Sequence, residues 1–151
     1  MSNLDLSVSS FLQDGFNLKN HLINFLQINN DQLEQRLLKA VDDLAALHPG
    51  AFNKNDADDF YEDKVGDAHL IDLASWHLNS SNYIADTLRL QQNFAYGKVL
   101  DFGGGIGTHA IAASFLSKVE HVWFVDLNPQ NRSFVEQRAK QLGIEDQISV
   151  H

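Results

Sequence analysis

The sequence contains no cysteine and few basic residues, and each scarcity excludes a class of function. Without cysteine the chain has neither a disulfide framework nor a thiolate that could act as a nucleophile or a metal ligand. Eleven lysines and arginines stand against 20 aspartates and glutamates, a formal charge of −9, so no basic surplus is available for nucleic acid. Long apolar runs are also missing, and we expect a cytoplasmic protein without a membrane partner.

What the chain does contain is enough apolar sequence for the core of one domain. Its 151 residues are 44% hydrophobic and 21% charged. Residues 1–50 have apolar side chains at helical spacing in two stretches. The second begins at a helix cap, Asn30, and ends at Pro49-Gly50. These features predict an N-terminal helical segment that packs on the rest of the chain, caps it, or forms a dimer surface.

Residues 51–96 form an acidic linker and a helical lead-in. Six acidic residues fall between positions 51 and 67, but they lack the glycine and terminal glutamate of a calcium-binding loop. We therefore expect a solvated linker and the start of a helix, and no metal site. Helical spacing follows from Ala68 to Gln91, with a break near Asn79.

From residue 97 to residue 151 the pattern changes to alternating strands and helices. Such an order requires a parallel sheet with right-handed crossovers, which is half of a doubly wound, Rossmann-like α/β fold. In chain order the predicted elements are the strand Lys98–Phe102, the helix Thr108–Lys118, the strand His121–Val125, the helix Pro129–Leu142 followed by Gly143, and the strand Gln147–His151.

The segment from Asp101 to Thr108 reads D-F-G-G-G-I-G-T and connects the first strand to the following helix. Its glycines allow a tight turn with positive φ and let a ligand lie against the main chain. Nineteen residues after Gly107, Asp126 ends the second strand, where dinucleotide-binding folds place the acid that accepts hydrogen bonds from a ribose. A glycine loop and a ribose acid together predict a nucleotide-containing cofactor.

The spacing D-x-G-x-G-x-G resembles motif I of the class I S-adenosylmethionine-dependent methyltransferases. The dinucleotide fingerprint G-x-G-x-x-G would instead need glycine at position 108, where this chain has threonine. The resemblance covers roughly residues 97 to 151. It implies that the methionine part of the cofactor is surrounded by Asp101, Gly103, Gly104, Gly105 and Gly107. It also implies that Asp126 binds both ribose hydroxyls and that Leu127 packs on the adenine.

The resemblance implies an S-adenosylmethionine-dependent methyltransferase, and the acidic composition favours a small-molecule acceptor. Only strands 1–3 of that fold are expected, so the chain is interpreted as an N-terminal fragment. Methyl transfer requires mainly positioning, and no catalytic residue is assigned. Two alternatives remain open: a catalytically silent module for binding or assembly, and a nicotinamide-dependent oxidoreductase.

The first strand would have an unpaired edge, which invites pairing with another chain. We expect the Val99–Phe102 edge to be covered by a second copy in a homo-oligomer, by a swapped element, or by the N-terminal helices.

Other residues have competing interpretations. Asp126 could instead cap the helix that begins at Pro129, and Tyr61 and Trp76 could close over the cofactor. Structural roles are expected for His69, His77, His109 and His121.

Overall fold

The computed structural model describes residues 4–48, 50 and 53–151, and for residues 4–7 only the backbone. This part of the chain is α/β, as the sequence predicts, with a three-stranded parallel sheet. It contains no helix with both the length and the apolar character needed to cross a membrane. The helices are α1 (Leu4–Asp14), α2 (Leu18–Leu26), α3 (Asn30–Leu47), α4 (Lys54–Asp59), α5 (Gly66–Asn79), α6 (Ser81–Phe94), α7 (Thr108–Ser114) and α8 (Pro129–Leu142), with a π-helical turn at Phe60–Lys64; the strands are β1 (Gly97–Phe102), β2 (Val119–Val125) and β3 (Ile148–Val150).

The three strands lie in the order β1-β2-β3, with both neighbouring pairs parallel. Helix α7 connects β1 to β2, and α8 connects β2 to β3, as parallel pairing requires. Phe102 at the end of β1 is in register with Val125 at the end of β2. The segments that follow β1 and β2 therefore emerge side by side at one edge of the sheet.

One face of the sheet is covered and the other is largely open. Val99, Val122 and Ile148 share a face because they are in register, and they pack in one apolar cluster with residues of α7 and α8. On the opposite face Leu100 is 62% exposed and Phe102 is 81% exposed. Among the described residues, β1 pairs only with β2. The other edge of β1 therefore has no strand partner within the described residues, and its expected covering stays a prediction.

The N-terminal helices pack into two apolar clusters. In the first, Val8 and Phe11 of α1 and Leu88 of α6 join the covered face of the sheet. The second holds residues of α2, α3 and α5 together with Ile106 of the glycine loop and Phe134 of α8. The helical segment predicted for residues 1–50 thus packs directly on the sheet and on the glycine loop.

Several predicted boundaries shift in the structure. Helix α7 ends at Ser114, four residues before the predicted Lys118, because Leu116 and Val119 form short turns that lead into a longer β2. The cap of α3 is Asn29 rather than Asn30: its side chain accepts from the Gln32 N–H in a capping box. Helix α8 begins at Pro129 and is followed by Gly143 in a left-handed conformation, as predicted.

The acidic stretch is more ordered than a solvated linker. Asn53 caps α4 in a reciprocal bond with Asp56, and the chain continues through the π-helical turn. Phe60 and Val65 are buried, so two apolar side chains anchor an otherwise acidic and exposed segment. The predicted end of the preceding helix at Pro49 lies outside the described residues.

Candidate cofactor site

The glycine loop closes against the end of β2 through backbone hydrogen bonds. The N–H of Gly103 donates to the Val125 carbonyl at 2.7 Å, and the N–H of Gly107 donates to the Gly104 carbonyl at 3.0 Å. Gly103, Gly105 and Gly107 have φ values of +70°, +59° and +78°, a region that other residues rarely adopt. The loop is therefore a compact turn lying between β1 and α7.

The four predicted loop glycines have different surroundings. A Cβ atom added to Gly104 would overlap the Phe124 ring, one added to Gly107 would lie 2.7 Å from Val135, and one added to Gly105 would lie 2.9 Å from Leu73 of α5. A Cβ atom on Gly103 would meet nothing within 4 Å. Three glycines thus permit close packing inside the protein, and Gly103 leaves main chain open toward solvent.

Asp126 joins the end of β2 to the glycine loop. Its Oδ2 accepts from the Gly105 N–H at 2.8 Å, and its Oδ1 accepts from the Asn128 N–H at 2.8 Å and from Asn131 Nδ2 at 3.2 Å. Asp126 as a whole is 9% exposed. A carboxylate has about four acceptor positions, so these bonds leave about one, on Oδ2. That geometry suits one ribose hydroxyl, whereas the family's two-hydroxyl contact would require Oδ1 to lose a partner.

Asp101 faces into the protein. Its Oδ2 accepts from the Ala110 N–H of α7 at 3.1 Å. Burial raises the pKa of Asp101, an effect opposed by nearby His109 and by the Ala110 hydrogen bond. Asp101 therefore holds α7 against β1, and its predicted role beside the methionine part of a cofactor stays a prediction.

Leu127 follows Asp126 and is 47% exposed. Arg132 of α8 donates through Nη1 to the backbone carbonyls of Asp126 at 2.7 Å and Leu127 at 2.9 Å. This one arginine therefore holds the turn after β2 in place. An apolar side chain thus projects from a fixed backbone beside the acid, and its predicted packing on an adenine stays a prediction.

Asp126 is not the N-cap of α8, which was the alternative role predicted for it. Asn128 is the N-cap of α8, and its Oδ1 accepts from the Gln130 N–H at 2.9 Å. Two further residues, Asn128 and Asn131, are fully buried around Asp126, and no role was predicted for either. A cap before Pro129 could have identified Asn128, because asparagine is a favoured N-cap residue. No local pattern identifies Asn131.

Three of the four histidines with predicted structural roles each bond a hydroxyl group. His77 bonds Thr108 at 3.0 Å, His109 bonds Thr87 at 3.0 Å, and His121 bonds Ser149 at 2.8 Å. Burial lowers the pKa of His77 to about 4, aided by His109 and Arg138, so its ring is neutral near pH 7. Within the described ranges, no three histidine, aspartate or glutamate side chains are grouped closely enough to hold a metal ion.

Tyr61 and Trp76, the two aromatic residues predicted to close over a cofactor, have different neighbours. The Tyr61 ring contacts the His69 ring, and His69 Nδ1 lies 3.3 Å from Asn131 Nδ2, one contact away from Asp126. Trp76 is 47% exposed and contacts the rings of His77 and Tyr83. Only Tyr61 is thus connected to the acid through side-chain contacts among the described residues.

Comparison of the chain with protein-family models, with curated proteins and with solved structures found no match.

Proposed function

We propose that this chain binds S-adenosylmethionine at the ends of β1 and β2. We propose further that it is part of a methyltransferase that acts on a small molecule. The observation that carries the proposal is the 2.8 Å hydrogen bond from the Gly105 N–H to Asp126 Oδ2. It joins the glycine loop after β1 to the acid after β2, two features 21 residues apart in the sequence. In open parallel sheets, ligands bind at this carboxyl edge of the strands.

The residues at this edge fit such a cofactor. Gly103 presents unobstructed main chain, Asp126 keeps about one acceptor position, and Leu127 offers an exposed apolar side chain. When bound, the cofactor supplies an electrophilic methyl group. The chain's own part is to hold the cofactor and to fix its orientation for an acceptor.

The charge of the chain favours a small-molecule acceptor. The formal charge of −9, an excess of nine acidic over basic residues, disfavours binding to the phosphate backbone of a nucleic acid.

Calorimetric titration of the chain with S-adenosylhomocysteine tests the cofactor assignment. We expect saturable 1:1 binding, and we expect Asp126→Ala to weaken it by roughly 100-fold, because the loss removes a charged acceptor and frees the loop N–H. Glu120→Ala is the matched control, since Glu120 is an exposed acid on β2, the strand that Asp126 follows. Circular dichroism of each variant verifies that the fold is retained.

A parallel titration with NADH separates this proposal from the nicotinamide alternative. Saturable binding of NADH without binding of S-adenosylhomocysteine would replace the proposed cofactor, and binding of neither would overturn the cofactor assignment. If wild type and Asp126→Ala bind S-adenosylhomocysteine with equal affinity, Asp126 does not contact the cofactor. Binding of S-adenosylhomocysteine without turnover on small acceptors would favour a silent binding module.

The open β1 edge favours a second role, assembly of two copies of this chain. An edge strand presents unpaired backbone donors and acceptors, and β1 also exposes Leu100 and Phe102. If two copies paired antiparallel about a two-fold axis centred on Leu100, each Leu100 would lie opposite its own copy on the open face. Such a contact uses the same strand edge of both copies, so assembly stops at a dimer. It extends the sheet from three strands to six.

Sedimentation velocity tests the assembly. We expect a dimer at micromolar concentration, and we expect Leu100→Lys to shift it to monomer, because a lysine on an edge strand opposes pairing. The matched control is Leu90→Lys on α6, since Leu90 is 61% exposed but lies on a helix. A wild-type chain that sediments as a monomer at every concentration would contradict the assembly.

A further inference from the structure

A buried network of amide groups surrounds Asp126. Asn131 is fully buried, and its Nδ2 lies 3.2 Å from Asp126 Oδ1 and 3.3 Å from His69 Nδ1. Its Oδ1 lies 3.4 Å from Asn128 Nδ2. Asn131 thus contacts the carboxylate, a histidine of α5 and the cap of α8 at once.

The orientation of the Asn131 amide follows from its neighbours. Asn128 accepts from the Gln130 N–H at 2.9 Å and donates through Nδ2 to the Gly66 carbonyl at 3.1 Å, so it also presents a donor to Asn131. The Asn131 oxygen must face that donor, and its NH₂ group then faces Asp126 and His69. A flipped amide would place its oxygen against the Asp126 carboxylate, where the two would repel.

His69 completes the network as an acceptor. For Nδ1 to accept from the Asn131 NH₂ group, the ring must be neutral with its proton on Nε2. Burial lowers the pKa of His69, and this outweighs the opposing attraction of Asp126 and Asp72. Both hydrogens of the Asn131 NH₂ group therefore have acceptors.

We propose that Asn131 and His69 are positioning residues for the cofactor acid: His69 orients the Asn131 amide, and Asn131 holds Asp126 Oδ1 so that Oδ2 stays beside Gly105 and open to a ligand. This inference rests on the proposed function. Neither residue contacts the cofactor. The network also makes α5 part of the site, because His69 and the Gly66 carbonyl both belong to α5, 62 residues before their partners.

Affinities of paired variants for S-adenosylhomocysteine test the proposal. We expect Asn131→Leu and His69→Leu to weaken binding by roughly tenfold, because each leaves a donor or acceptor of the network unpaired. His69→Asn should bind within about twofold of wild type, because an asparagine oxygen can occupy the place of Nδ1 and accept from Asn131. His121→Leu, which removes a histidine bonded to Ser149 on the sheet, is the control.

A second measurement does not depend on the cofactor. Nitrogen-15 NMR of the ligand-free chain should show His69 as the Nε2–H tautomer in the wild type and as a tautomer mixture in Asn131→Leu. It should also show strongly shifted Asn131 side-chain amide resonances. A His69 that does not accept from Asn131 would keep the same tautomer in both proteins. The NMR result remains informative if Asn131→Leu fails to fold, because the wild-type tautomer is itself a test.

The outcomes separate this inference from the proposed function. If the wild type fails to bind S-adenosylhomocysteine, the proposed function is wrong, whatever the tautomer. If the wild type binds and both leucine variants bind equally well, the positioning roles are wrong and the cofactor assignment stands. A wild-type His69 protonated on Nδ1 would also overturn the positioning roles, since it could not accept from Asn131.

Discussion

Replacing Arg138 by methionine should lower the free energy of unfolding by about 3–5 kcal/mol, a large part of the stability of a domain this size. Arg138 is fully buried on α8. Its guanidinium donates to the Ile106 carbonyl at 2.8 Å, to the Gly15 and Phe16 carbonyls at 2.9 and 3.1 Å, and to His21 Nδ1 at 3.1 Å. Methionine fills most of the volume but leaves four buried acceptors unpaired.

The turn between α1 and α2 explains why these acceptors converge. Gly15, Phe16 and Asn17 have φ values of +62°, +59° and +61°, so three successive residues are left-handed. Such a conformation is strained for Phe16 and Asn17 and persists only where surrounding contacts hold it. Arg138 supplies such contacts, and it also bonds the glycine loop at Ile106. Burial lowers the pKa of Arg138 to about 9, which leaves it charged at neutral pH.

Urea denaturation followed by circular dichroism measures the effect. Arg89→Met is the matched control, because Arg89 is exposed and pairs only with Asp86 of its own helix among the described residues, and it should change stability by less than about 0.5 kcal/mol. Arg138→Lys should be intermediate, since one ammonium group cannot replace a guanidinium that bonds three elements. A loss below about 1 kcal/mol for Arg138→Met would show that the three carbonyls find other partners.

The second large effect is expected for Gly104→Ala, which should destabilise the fold by about 3 kcal/mol, at the upper end for an overpacked core. The added Cβ would lie 2.7 Å from a ring carbon of Phe124 and 2.7 Å from Asp101 Oδ2. Phe124 is fully buried in the central strand, and Asp101 bonds α7, so neither can move away without disturbing the sheet.

Gly103→Ala provides the contrast within the same loop. Its Cβ would meet nothing within 4 Å, and the cost is limited to the positive φ of +70°, about 1–2 kcal/mol. Thermal unfolding of the two variants, run side by side, should give the lower midpoint for Gly104→Ala. Equal midpoints would mean that loop conformation, rather than packing against Phe124, determines the effect.

Local sequence patterns were sufficient to predict the elements of residues 97–151 and the position of the acid. The alternation of strand and helix periodicity predicted the parallel pairing, and Pro129 and Gly143 marked the two ends of α8. In the structure the glycine loop and Asp126 are in contact. These features depend on neighbours within a few residues, or on the rule that consecutive parallel strands end at one edge.

Contacts between distant residues decided the rest. Composition marked residues 51–67 as a solvated linker, but burial of Phe60 and Val65 makes the segment part of the fold. Arg138 and Gly15 are 123 positions apart, and Asn131 and His69 are 62 apart, so no local pattern could pair them. The sequence alone determined the α/β class, the loop and its acid. Only the tertiary structure decided which way Asp101 faces, which glycine stays open and which buried amides hold Asp126, because burial and hydrogen bonding depend on what the folded chain brings into contact.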